Sequence, residues 1–161
     1  KAEGLRGVKL HPDFQLFQID SPRMDAIYEV ITELELPVIV HAGDKRYDFS
    51  GPKRIAHVLE KHPKIELIAA HFGGYSEWEN SMEHLVGKKV WFDTSSSLFS
   101  LPVETANKMI RDHGYEKFLF GSDFPMWDHE GELERFNKLD LTAEMRDAIL
   151  YKNALRLLKE E

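Results

Sequence analysis

The sequence predicts an α/β domain of parallel strands alternating with helices, and three observations carry that prediction. Apolar runs begin near residues 7, 37, 65, 90 and 117, spaced roughly 25–30 residues apart, the size of one strand-plus-helix unit. Each run is continuous and β-branched or aromatic, as expected when helices cover both faces of a sheet. Amphipathic stretches with helix start and stop signals separate the runs. An eight-stranded barrel takes about 250 residues. Five units in 161 residues therefore fit either an open sheet or the later part of a barrel whose first three units are absent.

Residues 7–11 read as a short buried strand closed by Pro12. Residues 13–20 read as a loop. Ser21-Pro22 marks a helix start, with Ser as cap and Pro in the first turn. The helix over 22–35 places Met24, Ile27, Tyr28, Ile31 and Leu34 on one core face. Pro37 opens the second strand, 38–41, and the polar segment 42–51 is a loop. A helix over 52–61 turns Ile55, Val58 and Leu59 inward and stops before Pro63. The third strand, 65–71, leads through Gly73-Gly74 to a helix over 76–86. That glycine pair lacks phosphate-loop spacing and signals close backbone approach. Strand 90–94 precedes a serine-rich loop and a helix over 102–113 capped by Gly114. The fifth strand is 117–122, and a short helix near 131–137 follows. A last helix over 143–158 starts at Thr142, with Met145, Ile149, Leu155 and Leu158 as core positions.

Composition narrows the chemistry. The chain has no cysteine, so disulfides and thiolate metal sites are excluded. A net charge of −7 offers no basic face for a nucleic-acid backbone. No apolar run approaches the roughly 20 residues of a membrane span, and a cytoplasmic location is expected. The chain opens on Lys1-Ala2-Glu3-Gly4-Leu5-Arg6 and enters a strand almost at once, as though a preceding part were missing.

Four apolar runs end on a residue type that binds metals: Val8-Lys9-Leu10-His11, Val38-Ile39-Val40-His41, Leu67-Ile68-Ala69-Ala70-His71 and Phe118-Leu119-Phe120-Gly121-Ser122-Asp123. By the two-residue alternation of strands, Lys9 and His11 share a face. So do Ile39 and His41; Leu67, Ala69 and His71; and Leu119, Gly121 and Asp123. The terminal residues then project into one mouth at the C-terminal rim, where imidazole and carboxylate donors suit Zn²⁺ and similar ions. A single strand-end histidine is more often structural; three with an aspartate argue for a site. Asp93 with Thr94 to Ser97 reads as a strand-end hydrogen-bonding cluster. His57, His62, His84 and His113 read as solvated, Asp128 and His129 as an exposed loop, and Trp78 and Trp127 as lid or core aromatics.

The segments His41-Ala42-Gly43, Ala70-His71-Phe72-Gly73-Gly74, Phe92-Asp93-Thr94-Ser95-Ser96, Gly121-Ser122-Asp123-Phe124-Pro125 and Asn153-Ala154-Leu155-Arg156 occur in an order that resembles the amidohydrolase-related family. The resemblance implies a metal-dependent enzyme on a TIM (β/α)8 barrel, with this chain as strands four to eight of a single amidohydrolase-like domain. It implies His41 and Asp123 as metal ligands, with Asp123 also taking a proton from bound water, and His71 as either a second metal ligand or a substrate-polarising residue. It places Lys9 where some relatives carry a carboxylated lysine, which implies substrate or metal binding. His11 is either a substrate contact or a structural cap. The implied cofactor is a divalent metal ion, zinc first and manganese second.

The expected activity is hydrolysis of a C–N or C–O bond in a small polar or carboxylated molecule. Non-oxidative decarboxylation in the same family is the alternative, and a non-catalytic half-barrel needing a partner is the rival. The family's strand-one His-x-His pair has no counterpart in this sequence. A homo-oligomer, or an N-terminal segment, would then complete the barrel.

Overall fold

The computed structural model describes residues 2–160. Its centre is a five-stranded sheet in sequential order, every neighbouring pair parallel: β1 (Val8–Leu10), β2 (Val38–Val40), β3 (Leu67–Ala69), β4 (Trp91–Asp93) and β5 (Phe118–Leu119). Each crossover carries helix: α1 (Pro12–Gln15) and α2 (Asp25–Glu33) after β1, α3 (Pro52–Lys61) after β2, α4 (Trp78–His84) after β3 and α5 (Val103–His113) after β4. After β5 come α6 (His129–Phe136), α7 (Ala143–Asp147), a π turn over Ala148–Lys152, and α8 (Asn153–Leu158). The predicted class and unit order are those observed.

Local signals set the ends. Ser21 Oγ accepts from Arg23 N, and Thr142 Oγ1 accepts from Met145 N at 3.2 Å. Asp128 Oδ1 caps α6 by accepting from Gly131 N at 2.7 Å, so Asp128 and His129 start a helix where a loop was expected. Gly114 follows α5 at φ 98°. Residues 13–15, expected as loop, join Pro12 in α1 because the His11 ring accepts from Phe14 N and Pro12 occupies the first turn.

The register shows which face is which. Val38, Val40, Leu67, Ala69, Phe92 and Phe118 are fully buried. They pack with Tyr28 and Ile31 of α2, Ile55 and Val58 of α3, and Met109 and Ile110 of α5. The opposite, concave row runs through Lys9, Ile39, Ile68 and Trp91 by register. Phe72, Phe92 and Phe118 meet at ring distances of 5.2 and 5.3 Å. Truncating one such buried ring costs about 3–5 kcal/mol. Ile27 and Leu34 of the expected α2 face are 45% and 41% exposed, and Leu155 of α8 is 38% exposed. These positions sit at the rim of their stripes, because a 3.6-residue repeat drifts off a narrow contact face.

His113 is not solvated as expected: its ring lies 4.4 Å from that of Phe92 and bonds the Val90 carbonyl. His62 is held between Asp25 and the Tyr28 ring. Arg6 bonds the Leu158 carbonyl at 2.6 Å, and Lys159 pairs with Glu35 at 2.8 Å, tying α8 back to the β1 side. No helix among the described residues is long and apolar enough to cross a membrane.

Candidate active site

The C-terminal lip of the sheet gathers the polar groups that the core excludes. His41 follows β2 directly, with its backbone N–H still on the ladder to the Leu10 carbonyl at 3.0 Å. His71 arrives differently from the expected alternation. Leu67 and Ala69 point into the helix-covered core, so strict alternation would carry His71 there too. Instead the chain leaves the strand in the left-handed region, with φ 62° at His71 and 54° at Phe72. That turn swings the imidazole over the lip, where His41 Nδ1 lies 3.0 Å from His71 Nε2. Gly73 makes the turn possible: a Cβ there would stand 2.5 Å from the Phe92 ring and 2.6 Å from Ser81 Oγ. The expected close approach at Gly73-Gly74 is thus present, and Gly43 meets the Gly74 backbone in the same way.

Asp93 anchors this turn. Its Oδ1 accepts from His71 N (2.9 Å), Ser95 N (3.0 Å) and Ser95 Oγ (2.6 Å) while 6% exposed. His71 Nδ1 in turn faces the Ser95 carbonyl at 3.1 Å and Ser95 Oγ at 3.0 Å. A carbonyl only accepts, so the His71 proton sits on Nδ1 and its Nε2 lone pair faces His41. The cluster expected over residues 93–97 is therefore the support of His71. Trp78 adds a hydrogen bond from Nε1 to the His71 carbonyl.

His41 is packed from the β1 side. Its ring stacks on His11 at 4.2 Å and 8°, and His11 stacks on Phe14 at 3.8 Å and 2°. Burial, followed by the fields of His71, His11 and Lys9, pushes the His41 pKa down to about 3. The ring is neutral at physiological pH and keeps a lone pair to give. His11 serves as stacking plate and cap of α1. Lys9 projects from mid-β1 onto the concave side; desolvation lowers its pKa, against the opposing fields of Asp93 and Asp123.

Asp123 lies past the end of β5 in a left-handed turn (φ 59°), and its Oδ2 accepts from Ser96 Oγ at 2.7 Å. Thr94 and Gly121 bond across the same two segments, at 3.2 Å from Gly121 N to Thr94 Oγ1. Trp127 stacks on Phe99 at 4.8 Å beside this loop.

The donor types suit a divalent ion: two imidazoles, that of His71 with its second nitrogen against a carbonyl, as ligating histidines usually have. Two nitrogens each about 2.0–2.1 Å from one tetrahedral ion stand roughly 3.3–3.4 Å apart; His41 and His71 are a few tenths of an ångström closer, at the 3.0 Å of a hydrogen bond. The donor number falls short. Among the described residues no three His, Asp or Glu side chains converge to hold a metal ion. Of the expected trio of His41, His71 and Asp123, the two histidines are in contact with each other.

One acidic residue escaped the sequence reading. Asp13, 4% exposed, places Oδ2 3.7 Å from His41 Nε2 and accepts from Ser50 Oγ at 3.0 Å. Its signal was its place two residues beyond a strand-end histidine, in a stretch that polarity alone assigns to a loop.

An amidohydrolase family model matches residues 1–159. Among solved structures, an uncharacterised TIM-barrel protein from Bordetella bronchiseptica superposes with a TM-score of 0.75 at 22% identity, over 97% of this chain and 58% of that one. A probable 2-pyrone-4,6-dicarboxylic acid hydrolase from Acinetobacter baumannii, with citric acid bound, gives 0.73 at 20% identity, over 98% and 66%. A dihydroxybenzoic acid decarboxylase from Polaromonas sp. JS666, with bound manganese and an inhibitor, gives 0.66 at 17% identity, over 88% and 55%. At these identities the likeness is one of fold. The chain thus spans about three fifths of the length of structures it matches.

Proposed function

Because this chain belongs to the amidohydrolase family, we propose that it forms strands four to eight of a metal-dependent hydrolase barrel. The observation that carries the reading is the 3.0 Å approach of His41 Nδ1 to His71 Nε2 at the lip of adjacent parallel strands. In this reading His41, His71 and Asp123 hold a divalent ion, zinc or manganese, together with donors from elsewhere in the whole protein. When bound, such an ion lowers the pKa of a water toward about 7 and polarises a carbonyl.

The chain's own groups take defined parts. Asp123, steadied by Ser96, is the carboxylate that accepts a proton at the mouth. His71, with its proton fixed on Nδ1, presents Nε2 to the site. Lys9 offers an ammonium on the concave face toward a substrate carboxylate, with the stacked His11 beside it. The substrate is a small polar or carboxylated molecule, and the bond cleaved is C–N or C–O. Decarboxylation calls on the same residues, so product analysis separates the two reactions.

The test is metal analysis of the full-length protein, with equilibrium dialysis against Zn²⁺ and Mn²⁺ for wild type and Asp123→Asn. A screen of small carboxylated substrates for hydrolysis and CO2 release accompanies it. Weaker uptake by Asp123→Asn is expected; equal uptake removes Asp123 from the ligand set.

A further inference from the structure

We propose that the end of the sheet opposite the histidines holds a small oxyanion site, in which Lys117 and Arg156 take a phosphate- or carboxylate-bearing molecule beside the indole of Trp91. The inference is independent of the metal reading and uses none of its residues.

The strands enter the sheet at this end. Glu66 precedes β3, Trp91 opens β4, Lys117 precedes β5, and Arg156 of α8 joins them. Together they border a cavity of about 480 Å³, a volume suited to a small metabolite. The charge of its wall runs against that of the chain. The whole sequence carries −7, yet the wall sets Lys64, Lys117, Arg156 and Lys159 against Glu35 and Glu66. Like charges gathered in one concavity focus a field that draws in counter-ions.

Two of those cations lack a carboxylate. Trp91, 4% exposed, has Lys117 Nζ 4.1 Å and Arg156 Cζ 5.4 Å from its ring centre. Glu66 is the acid beside them, but both its oxygens are engaged: Oε2 accepts from Trp91 Nε1 at 2.9 Å, and Oε1 pairs with Lys89 at 3.6 Å. Glu35 pairs with Lys159. Arg156 donates to the Glu116 carbonyl, a neutral acceptor. Among the described residues no carboxylate stands within ion-pair distance of Lys117 or Arg156. Burial lowers the Lys117 pKa against the field of Glu66, and the charges of Arg156 and Lys89 push the same way as burial. An aromatic face offsets part of the cost of holding a cation out of water. An oxyanion would offset more, because a guanidinium offers a two-pronged N–H edge and an ammonium a point charge, and one phosphate or dicarboxylate accepts from both.

The test is calorimetric titration of the full-length protein with pyrophosphate and, separately, with succinate, at an ionic strength held constant with chloride. Saturable binding of at least one anion is expected, and the tighter of the two names the source as phosphate or carboxylate. Lys117→Met keeps the stem over Trp91 and removes the charge, so affinity should fall about tenfold or more. Arg156→Gln, at an exposed position, should do the same and stands alone if Lys117→Met fails to fold. Saturable binding of neither anion by the wild type, or an affinity unchanged in either folded variant, overturns the proposal.

Discussion

His71 reaches His41 only because its backbone is left-handed. The two imidazoles lie 3.0 Å apart at the lip, yet the strand leading to His71 aims its alternate side chains at the core. A turn held by Asp93 and admitted by Gly73 makes the difference. The candidate site is therefore as sensitive to the residues that shape that turn as to the histidines themselves.

Removing the Asp93 carboxylate should strand three donors. Asp93→Ala leaves His71 N, Ser95 N and Ser95 Oγ without their common acceptor. Buried unsatisfied groups of this kind cost about 1–3 kcal/mol each before relaxation, so a loss of about 2–4 kcal/mol is expected. Urea denaturation measures it, and a loss within error of zero would mean that the turn holds without Asp93.

Two glycines with similar dihedrals separate backbone strain from crowding. Gly73 and Gly87 have φ of 74° and 79°, but a Cβ at Gly73 strikes Phe92 and Ser81, whereas at Gly87 nothing lies within 4 Å. Gly87→Ala should cost about 1 kcal/mol from conformation alone. Gly73→Ala should cost about 1–3 kcal/mol more, because the Phe92 ring must move. Equal losses in the two variants would argue against close packing at the turn.

Stability should fall as pH drops below the ordinary histidine range. Burial holds the His113 pKa below 6.5, while Nε2 donates to the Val90 carbonyl and Nδ1 accepts from Gly87 N. In the unfolded chain the ring gains a proton near 6.5; in the folded protein it gains one only at lower pH. The unfolded state then binds more protons, and stability decreases from about pH 6.5 downward. His113→Gln should flatten this slope between pH 6.5 and 5, although it lowers stability at neutral pH. A slope identical to wild type would assign the pH dependence to other groups.

Much of the fold is legible in the sequence because continuous apolar runs and capping residues report on local structure. The helix over 52–61 and the caps at Thr142 and Gly114 stand where local chemistry places them. The site was legible in its residue types: the strand-end positions of His41 and His71 identified them as candidates. Their geometry was not, since a two-residue repeat stops applying where a strand ends in a left-handed turn, as at His71 and Asp123. Asp13 was hidden for a related reason. A polar residue in a short helix looks solvated until tertiary packing closes over it, here beside Ser50 and His41. His113 shows the same limit, since its burial depends on Phe92, 21 residues away in sequence.

The most direct measurement is Mn²⁺ titrated into full-length protein with labelled histidine rings, followed by paramagnetic broadening. His41 and His71 should broaden first, well below one equivalent, with exposed His57 unaffected and with the effect weakened in Asp123→Asn. Broadening of His57 before or together with His41 and His71 would contradict a metal centre at this lip.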